Sequence, residues 1–404
     1  MTMTIRLSST TGSISPATSL VIVGDCKAEL WGISLRERLR RSFSTAGITV
    51  VVDAEETTTE SANIIIVRSD YVLDQRLVDA LAARPNTLLL SDVVDDENSM
   101  VPVAIHIAAD HFSQALDLIA QGQFDATNYP LDVDRFSPSE LGGNYNIKLR
   151  KRAVPYAVSI NNTPLSQIEK LTFDASYKGA TDFVTKFFWP VPARCVTKWA
   201  AARGLTPNTV TSLSLVFVLL ATWLFLQGHF LAGCFTGWLM TLLDTVDGKL
   251  ARVTLTSSKW GHIFDHGIDV IHPPFWWFAW WYGLQAQGNT ALAFSLEMAL
   301  WVILGGYVLG RIFEQIFRRS FKFHMHIWRR IDYLFRHITA RRNPNLAILT
   351  VFTASGAPDT GFIAVAIWTV LSLMFHGSCL IQAAVVRLKG NEVISYMNES
   401  PRLA

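Results

Sequence analysis

The sequence predicts a two-part fold: an N-terminal α/β domain with a mostly parallel sheet, followed by an all-α bundle of six transmembrane helices. Short apolar runs alternate with amphipathic stretches early in the chain, whereas long uncharged apolar runs dominate its second half. Half of the 404 residues are hydrophobic and 17% are charged, which is too apolar for an ordinary soluble protein.

The α/β domain is predicted over residues 19–180, after a Ser/Thr-rich tail at 1–18 that we expect to be disordered. Ser34 and Glu37 form a predicted capping box, and Gly47 ends the helix that follows. Strands that alternate with helices favour a mostly parallel sheet. The predicted strands are 19–24, 47–53, 63–68, 86–91 and 101–107, and further helices are predicted at 74–84 and 111–122.

A basic cluster and an amphipathic segment precede the membrane part. The cluster consists of Lys148, Arg150, Lys151 and Arg152. Residues 181–208 predict a juxtamembrane amphipathic helix with one face for lipid and one for headgroups. The apolar face carries Val191, Cys195, Val196 and Trp199, and the basic face carries Arg194, Lys198 and Arg203. An ordinary soluble helix is the alternative.

Six apolar runs predict six spanning helices in a domain at 209–390, which leaves a tail at 391–404. A spanning helix needs roughly 20 apolar residues. Pro273 and Pro274 predict a kink in the third helix. The first run starts near Val210, and the others cover 230–243, 270–284, 291–309, 346–357 and 362–386. The fifth run is short.

The loop charges predict the orientation of these helices. Cytoplasmic loops carry an excess of Lys and Arg. The loops at 226–229, 284–290 and 354–361 contain neither, whereas the loop between helices four and five contains nine. The N-terminus lacks the apolar segment of a signal peptide. We therefore expect a multi-pass protein of the cell inner (cytoplasmic) membrane, with both termini and the acidic stretch described next on the cytoplasmic side.

The formal net charge and the cysteines narrow the classes of partner and site. A net charge of +2 indicates no strong polyanion partner, and we expect no nucleic acid to bind. The four cysteines are scattered, so neither a disulfide framework nor a zinc site is expected.

An acidic stretch from Asp244 to Asp269 is the candidate site. Asp244 and Asp247 are three residues apart, and Asp265 and Asp269 are four apart, so each pair shares one helix face. Ionisable groups in apolar sequence are functional candidates. Converging carboxylates repel unless cations neutralise them, and hard divalent ions prefer oxygen ligands. Capping and turn acids at helix ends are the alternative.

The stretch resembles the motif of the CDP-alcohol phosphotransferase (CDP-alcohol phosphatidyltransferase) family, D-x-x-D-G-x-x-A-R, eight residues, G-x-x-x-D-x-x-x-D. Every fixed position is present and the spacing has no departures. The positions are Asp244, Asp247, Gly248, Ala251, Arg252, Gly261, Asp265 and Asp269. The resemblance covers roughly residues 185–390.

The resemblance implies a role for each motif residue. Asp244, Asp247 and Asp265 would bind Mg²⁺ or Mn²⁺, as two ions. Asp269 would be the catalytic base on the acceptor hydroxyl and a further metal ligand. The CDP-binding residues would be Asp247, Gly248, Ala251, Arg252 and Gly261.

The family resemblance also implies the reaction and the partners. A CDP-alcohol donor, either CDP-diacylglycerol or a CDP-polyol, would transfer its substituted phosphoryl group to a hydroxyl and release CMP. The acceptor would be a polyol, a polyol phosphate or a lipid, in phospholipid or related polar-lipid synthesis. Membrane lipid would surround the protein, and a homodimer is expected.

Two arginines are candidate ligands for a phosphate group on the acceptor. Arg341 and Arg342 precede the fifth apolar run, and guanidinium groups bind phosphate well. Anchoring of the loop to anionic lipid is an equally good interpretation of both.

The N-terminal domain resembles a nucleotidyltransferase domain, as in bifunctional enzymes that first make a CDP-inositol and then use it. The segment at 69–81 resembles that fold's region around a metal-binding Asp, here Asp70. The loop at 24–34 lacks the expected Gly-rich phosphate-binding sequence, so the domain is predicted to be degenerate. An ordinary response-type α/β domain is the alternative.

Two further functions stay open. The protein would be bifunctional if the N-terminal domain made the CDP-alcohol from CTP. It would be a membrane transporter or cation channel if the acids formed a cation path. The position of the acids at one membrane face argues against the second.

Overall fold

The computed structural model describes residues 18–53, 61–94, 100–122, 131–288 and 293–397. The predicted tail at 1–18, apart from Thr18, and residues 398–404 of the predicted C-terminal tail lie outside them. Contacts divide the chain into an α/β unit and a helical unit. The α/β unit comprises Met1–Asn146 and Ala153–Leu171, and the helical unit comprises Ile147–Arg152 and Thr172–Ala404. The sequence predicts the boundary at residue 180, whereas the contacts place it after Leu171 and assign the basic segment 147–152 to the helical unit.

Short strands and helices alternate in the first 175 residues. In chain order they are β1 (Thr18–Val23), β2 (Glu29–Leu30), β3 (Ile33–Ser34), α1 (Leu35–Thr45), β4 (Val50–Val52), β5 (Asn63–Arg68), β6 (Tyr71–Leu73), α2 (Gln75–Ala83), β7 (Thr87–Val94), β8 (Met100–Ala108), α3 (Phe112–Gln121), β9 (Asp134–Phe136), α4 (Pro138–Gly142), β10 (Tyr145–Asn146), β11 (Lys151–Arg152), β12 (Ala157–Ser159) and α5 (Leu165–Ala175).

Six strands form the main sheet, in the order β4-β1-β5-β8-β7-β9. Parallel pairing joins β4 to β1, β1 to β5 and β7 to β9, which confirms a mostly parallel sheet. Strand β8 is the exception, since it runs antiparallel to both neighbours. Only the short stretch between Val94 and Met100 joins β7 to β8, and parallel strands need a much longer crossover.

Helices cover both faces of this sheet. Successive side chains of a strand point to opposite faces, so neighbouring residues of β1 contact different helices. Leu20 and Ile22 pack into the cluster that contains the apolar sides of α1 and α2. Val21, between them, packs into the cluster that contains α3. The predicted capping box is half right: Ser34 accepts the Glu37 N–H at 3.3 Å, but the Glu37 carboxylate pairs with Arg40 and Arg41.

Helices dominate the second unit, and they occupy all six predicted membrane positions. They are α6 (Pro190–Ala202), α7 (Pro207–Leu226), α8 (Phe230–Val253), α9 (Lys259–Ala286), α10 (Ala293–Phe321), α11 (Arg330–Phe335), α12 (Arg342–Ala354) and α13 (Pro358–Leu388). Three described helices are long and apolar enough to cross a membrane, over Pro207–Leu226, Ser295–Phe321 and Pro358–Leu388. Spanning by α8, α9 and α12 stays a prediction, since α8 and α9 carry acids and α12 has 13 residues.

Buried tryptophans hold α9 against α7. α9 continues through Pro273 and Pro274, and Trp276 and Trp280 behind them are fully buried. The Trp276 indole N–H donates to the Val218 carbonyl at 3.1 Å. This packing fixes the helix whose other end carries part of the acidic stretch.

The predicted amphipathic helix corresponds to α6. Its residues Val191 and Trp199 are 64% and 50% exposed, whereas Ala193 and Ala200 on the other face are buried. Val191 and Trp199, which the sequence analysis placed on the lipid-facing side, are therefore exposed.

Candidate functional site

Two consecutive helices carry the four acids of the motif. Asp244 and Asp247 lie on α8, and Asp265 and Asp269 lie on α9. Ser258 caps α9 by accepting the Gly261 N–H at 2.9 Å, only a short turn after the end of α8. The tight connection brings the acidic parts of both helices together.

Three of the acids converge. Asp244, Asp265 and Asp269 each place a carboxylate oxygen within 4.8 Å of the other two, and all three are partly buried. No hydrogen bond joins Asp265 to another described residue. Oxygen donors at this density form the kind of set that a hard divalent cation takes.

Asp247 lies behind this group. One of its oxygens accepts a hydrogen bond from the Thr211 hydroxyl at 2.6 Å. Its other oxygen is buried and has no partner among the described residues. An unpartnered buried carboxylate oxygen is costly and calls for a ligand.

Arg342 links two of the converging acids. Its guanidinium donates to Asp269 at 2.6 Å and to Asp244 at 2.6 Å, from the first turn of α12. Arg341 points elsewhere, since it pairs with Glu314 and lies 3.5 Å from the His326 ring. The two arginines that the sequence analysis proposed as phosphate ligands therefore pair with different carboxylates.

The two motif glycines allow close approach of neighbouring side chains, which for Gly248 is the side chain of Arg252. A Cβ on Gly248 would lie 3.0 Å from an Arg252 guanidinium nitrogen, and one on Gly261 would lie 2.9 Å from the Asn208 side chain. The Arg252 Nε is buried without a partner among the described residues. Ala251 is the neighbour of Arg252 on the same helix. The motif therefore places a guanidinium group that is available to an anion.

A cavity of about 580 Å³ adjoins the acids and is strongly cationic. Nine arginines and lysines line it, against four acids. The cations are Arg150, Lys178, Lys249, Arg252, Arg311, Arg318, Arg336, Arg341 and Arg342, and the acids are Asp182, Asp244, Asp269 and Glu314. Such a wall suits a substrate with several negative charges.

Sequence reasoning missed several residues of this wall. The Lys249 ammonium lies 3.2 Å from the centre of the Tyr177 ring and donates to the Ser176 carbonyl at 3.4 Å. Lys249 lies between fixed positions of the motif, so its spacing along the helix was the signal that could have revealed it. Tyr177 and Lys178 come from an irregular segment far upstream, where no periodicity pointed to them.

The pKa values of Lys178 and Asp182 reflect the positive charge of the cavity that these residues line. Burial lowers the pKa of Lys178, and the charges of Arg252 and Arg150 lower it further. Burial alone would raise the pKa of Asp182, but the Arg336 charge and hydrogen bonds from neighbouring side chains hold that pKa below its ordinary value. Positive charge thus prevails in this part of the wall.

Asp70, the candidate acid of the α/β unit, lies in a second cavity of about 430 Å³. The cavity is at the carboxyl ends of β1 and β5, where ligands bind to open α/β sheets. Arg68 donates to both Asp70 oxygens, at 3.0 and 3.1 Å. Ser159 and Asn161 each donate to the second oxygen at 2.9 Å. Both oxygens of Asp70 therefore accept hydrogen bonds, one on the first oxygen and three on the second.

Comparison with known proteins finds similarity within the helical unit. Residues 204–340 match the family model described as CDP-alcohol phosphatidyltransferase. The phosphatidylinositol phosphate synthase of Streptomyces avermitilis is 31% identical over 122 residues, 30% of this chain and 48% of that protein. The archaetidylinositol phosphate synthase of Pyrococcus horikoshii is 39% identical over 79 residues, 19% of this chain and 42% of that protein.

A relative whose name gives a different activity also matches part of the chain. Ethanolaminephosphotransferase 1 of Pongo abelii is 38% identical over 73 residues, 17% of each chain. The chain thus spans about half or less of the length of these curated relatives. The solved phosphatidylinositol phosphate synthase of Mycobacterium tuberculosis with CDP-DAG bound aligns at 19% identity and a TM-score of 0.37, over 46% of this chain and 91% of that one, which is too low to carry a statement about this fold.

The complete motif on α8 and α9, its converging carboxylates and the match over residues 204–340 agree with one another: this part of the helical unit is similar to the CDP-alcohol phosphatidyltransferase family.

Proposed function

We propose that the protein is an integral-membrane, metal-dependent CDP-alcohol phosphotransferase. It moves a substituted phosphoryl group from CDP-diacylglycerol or a CDP-polyol to an acceptor hydroxyl and releases CMP, in phospholipid or related polar-lipid synthesis. The observation that carries the proposal is the convergence of Asp244, Asp265 and Asp269 within 4.8 Å beside a cationic cavity. Carboxylates for metal and cations for phosphate are the two needs of this chemistry.

The donor set fits Mg²⁺ or Mn²⁺. Asp244, Asp265 and Asp269 converge, and Asp247 adds a buried oxygen with no partner in the described part of the chain. We propose that these four acids hold one or two ions. Bound there, a divalent cation supplies positive charge for the diphosphate in the transition state.

The chain's own residues then have distinct tasks. Asp269 takes the proton of the acceptor hydroxyl, and the acceptor oxygen forms a bond to the phosphorus that carries the alcohol. The bond from that phosphorus to the bridging oxygen breaks, and CMP leaves with the electron pair. Arg252 binds the diphosphate in the space left by Gly248, Ala251 and Gly261. Arg342 holds Asp269 in place until substrate arrives.

The membrane setting follows from the same proposal. Six helices span the inner membrane, with both termini and the acidic site on the cytoplasmic side, and α6 lies at the interface with its open apolar face toward lipid. The homodimer implied by family resemblance is part of the proposal. Chemical cross-linking in native membranes tests it.

Metal-dependent CMP release is the decisive experiment. The purified full-length protein, given CDP-diacylglycerol or a CDP-polyol and a panel of acceptors, is expected to release CMP with Mg²⁺ or Mn²⁺ and not with EDTA. Asp269→Asn is expected to lower the rate by about 10²- to 10⁴-fold, the usual contribution of a general base. Glu297→Gln, an exposed acid on α10, is the matched control and is expected to retain the wild-type rate. Undiminished release by Asp269→Asn would remove Asp269 from its role.

Two alternatives make different predictions. A bifunctional enzyme would release pyrophosphate from CTP and a polyol phosphate at the α/β unit, but the engaged oxygens of Asp70 argue against that. A transporter or cation channel would conduct ions and release no CMP. Parallel assays of pyrophosphate, CMP and cation flux separate the three.

A further inference from the structure

We propose that the segment between α10 and α12 re-enters the membrane, and that an apolar face formed by Ile331, Leu334 and Ile338 lies against the acyl chains of the cytoplasmic leaflet. The partner of this face is therefore a lipid surface. The inference goes beyond the proposed function. It rests on the proposed spanning of the membrane by α13, and not on the transfer reaction.

The uncharged stretch of α13 shows how deep this segment lies. The sequence contains no Asp, Glu, Lys or Arg between Asp359 and Arg387, and α13 is long and apolar enough to cross a membrane. A spanning helix places roughly 20 residues in the hydrocarbon layer. Wherever such a window is placed between the two charges, it includes residues 368–375.

Two hydrogen bonds join the segment to that part of α13. The Trp368 indole N–H donates to the Ile338 carbonyl at 2.7 Å, and the Ala340 N–H donates to the Ser372 hydroxyl at 3.0 Å. Residues 338–340 therefore lie at the depth of the hydrocarbon layer. The loop charges alone predict a cytoplasmic loop here, because they report on the sequence of the loop and not on the path that it takes.

The backbone of this stretch finds its hydrogen-bond partners inside the protein. Residues 336–341 follow α11 outside any helix, yet the amides of residues 336–339 donate to carbonyls of α11 at 2.9 to 3.1 Å. The His337 carbonyl accepts the Phe183 N–H at 2.9 Å. Irregular backbone occurs at membrane depth only where it is buried in protein or lines a cavity. The stretch meets that condition.

The side chains of the segment face lipid on one side and the cavity on the other. Ile331, Leu334 and Ile338 recur every three or four residues, and they are 55%, 54% and 46% exposed. Arg336 and Arg341 instead line the cavity beside the acids. A loop in water would expose its charges and bury its apolar residues. The reverse arrangement, with ionisable groups turned toward the interior, is typical of protein inside a membrane.

The acid of α11 is also turned inward. Asp332 is buried, and the Arg329 guanidinium donates to both of its oxygens, at 2.8 and 2.9 Å. The other charged residue of α11, Arg330, is its first residue and is exposed. A long arginine side chain at that end can reach the headgroups while the rest of the face stays among acyl chains.

The face of α11 is continuous with surfaces that the proposed membrane setting already places in lipid. The Phe335 ring stacks on the Phe375 ring of α13 with centres 3.9 Å apart, and the adjacent Met374 is exposed. On the other side, the exposed Phe187 lies just before α6, with its ring centre 6.1 Å from that of His337. This continuity favours lipid over a soluble protein as the partner of the face.

A fluorescent probe on a single cysteine tests where the face lies. In the full-length protein the accessible Cys26 and Cys195 are first replaced by serine, and the buried Cys234 and Cys379 remain. Leu334→Cys is then labelled with the environment-sensitive fluorophore NBD. The labelled protein is reconstituted into phosphatidylcholine vesicles with and without a nitroxide-labelled phosphatidylcholine, and iodide is added on both sides of the vesicle membrane.

Two matched variants give the reference values. The probe on Met374→Cys, exposed on α13, is expected to be quenched by the nitroxide lipid and not by iodide. The probe on Asn391→Cys, exposed beyond the basic end of α13, is expected to show the reverse. Leu334→Cys is expected to lose most of its fluorescence to the nitroxide lipid, to be little affected by iodide, and to emit to the blue of the Asn391 probe. An unchanged melting temperature shows that each labelled variant is folded.

The other outcomes overturn the inference in different ways. Quenching of the Leu334 probe by iodide would place α11 in water. Quenching by neither agent would show that protein, such as a second copy of the chain, covers the face. If the Met374 probe were not quenched by lipid, the proposed spanning by α13 would fail and the inference with it. Lipid quenching at both positions would support the inference even if no CDP-alcohol yielded CMP, so the two proposals can fail separately.

Discussion

The two units of this protein each bury acidic side chains, but they treat them in opposite ways. In the α/β unit, Asp70 has four hydrogen bonds on its two oxygens, including a bidentate arginine. In the helical unit, Asp265 has no hydrogen-bond partner among the described residues, and Asp247 has one buried oxygen without a partner. The fold thus supplies partners for both oxygens of Asp70, whereas it leaves Asp265 and one oxygen of Asp247 without a partner among the described residues.

This contrast indicates which unit does chemistry. A buried carboxylate with its full set of partners rigidifies its surroundings. Carboxylates that repel one another cost stability, and proteins keep them where function needs them. The contrast therefore supports placing the proposed phosphoryl transfer in the helical unit, and it favours a structural role for Asp70.

The largest expected effect is on Asp265. Asp265→Asn is expected to lower CMP release by about 10³-fold, because a charged ligand of the proposed metal ion would be lost. In EDTA the same variant is expected to melt at the wild-type temperature or slightly above it, since one repelling charge has gone. A clear loss of stability without metal would show that Asp265 is as well satisfied as Asp70, and the contrast would break.

Asp70→Asn is expected to give the opposite result. The free energy of unfolding should fall by about 1–3 kcal/mol, because Arg68 is left without its charged partner. CMP release should stay within about twofold of the wild type. Differential scanning calorimetry and the CMP assay on the full-length protein check both, with the exposed Asp117→Asn on α3 as control. A tenfold loss of CMP release would bring the α/β unit into the transfer reaction.

The smallest effect concerns pH. Burial lowers the pKa of His326 to about 3, and the opposing pull of Glu314 does not restore it. The unfolded chain takes up a proton on this histidine near pH 6.5, whereas the folded chain does not. The protein therefore has its full free energy of unfolding above pH 6.5, and that free energy falls as the pH drops toward 3. From pH 6.5 to pH 5 the loss is up to about 2 kcal/mol.

Removal of the titrating group checks this pH dependence. His326→Gln is expected to be less stable than the wild type at pH 7.5, with a difference that narrows by pH 5. Melting temperatures in the same detergent over this range are the measurement. A difference that stays constant with pH would show that His326 is not held neutral.

Local sequence predicted much of the fold. Short apolar runs predict β1 and β5, whose faces pack on different helices. Apolar runs likewise predict the positions of α7 to α10, α12 and α13. The antiparallel course of β8 was missed because pairing partners are chosen in three dimensions, although its short connection to β7 was a usable signal.

Local sequence also predicted that the acids of the candidate site converge, but it did not predict their distant partners. The four acids lie on two consecutive helices, so spacings of three and four residues reveal a shared face. Arg342 reaches Asp269 from 73 residues away, and Ser159 reaches Asp70 from 89 residues away. No periodicity encodes such contacts, since they depend on how distant helices and strands pack.

The bridge from Arg342 to Asp244 and Asp269 bears on how the protein matures in the bilayer. Helices that bring bare carboxylates together in an apolar medium would meet a large barrier. Arg342 provides a counter-charge that is encoded in the chain itself, so these helices can assemble during insertion without waiting for an ion. Under the proposed function, folding of these helices would therefore not depend on the supply of a divalent cation.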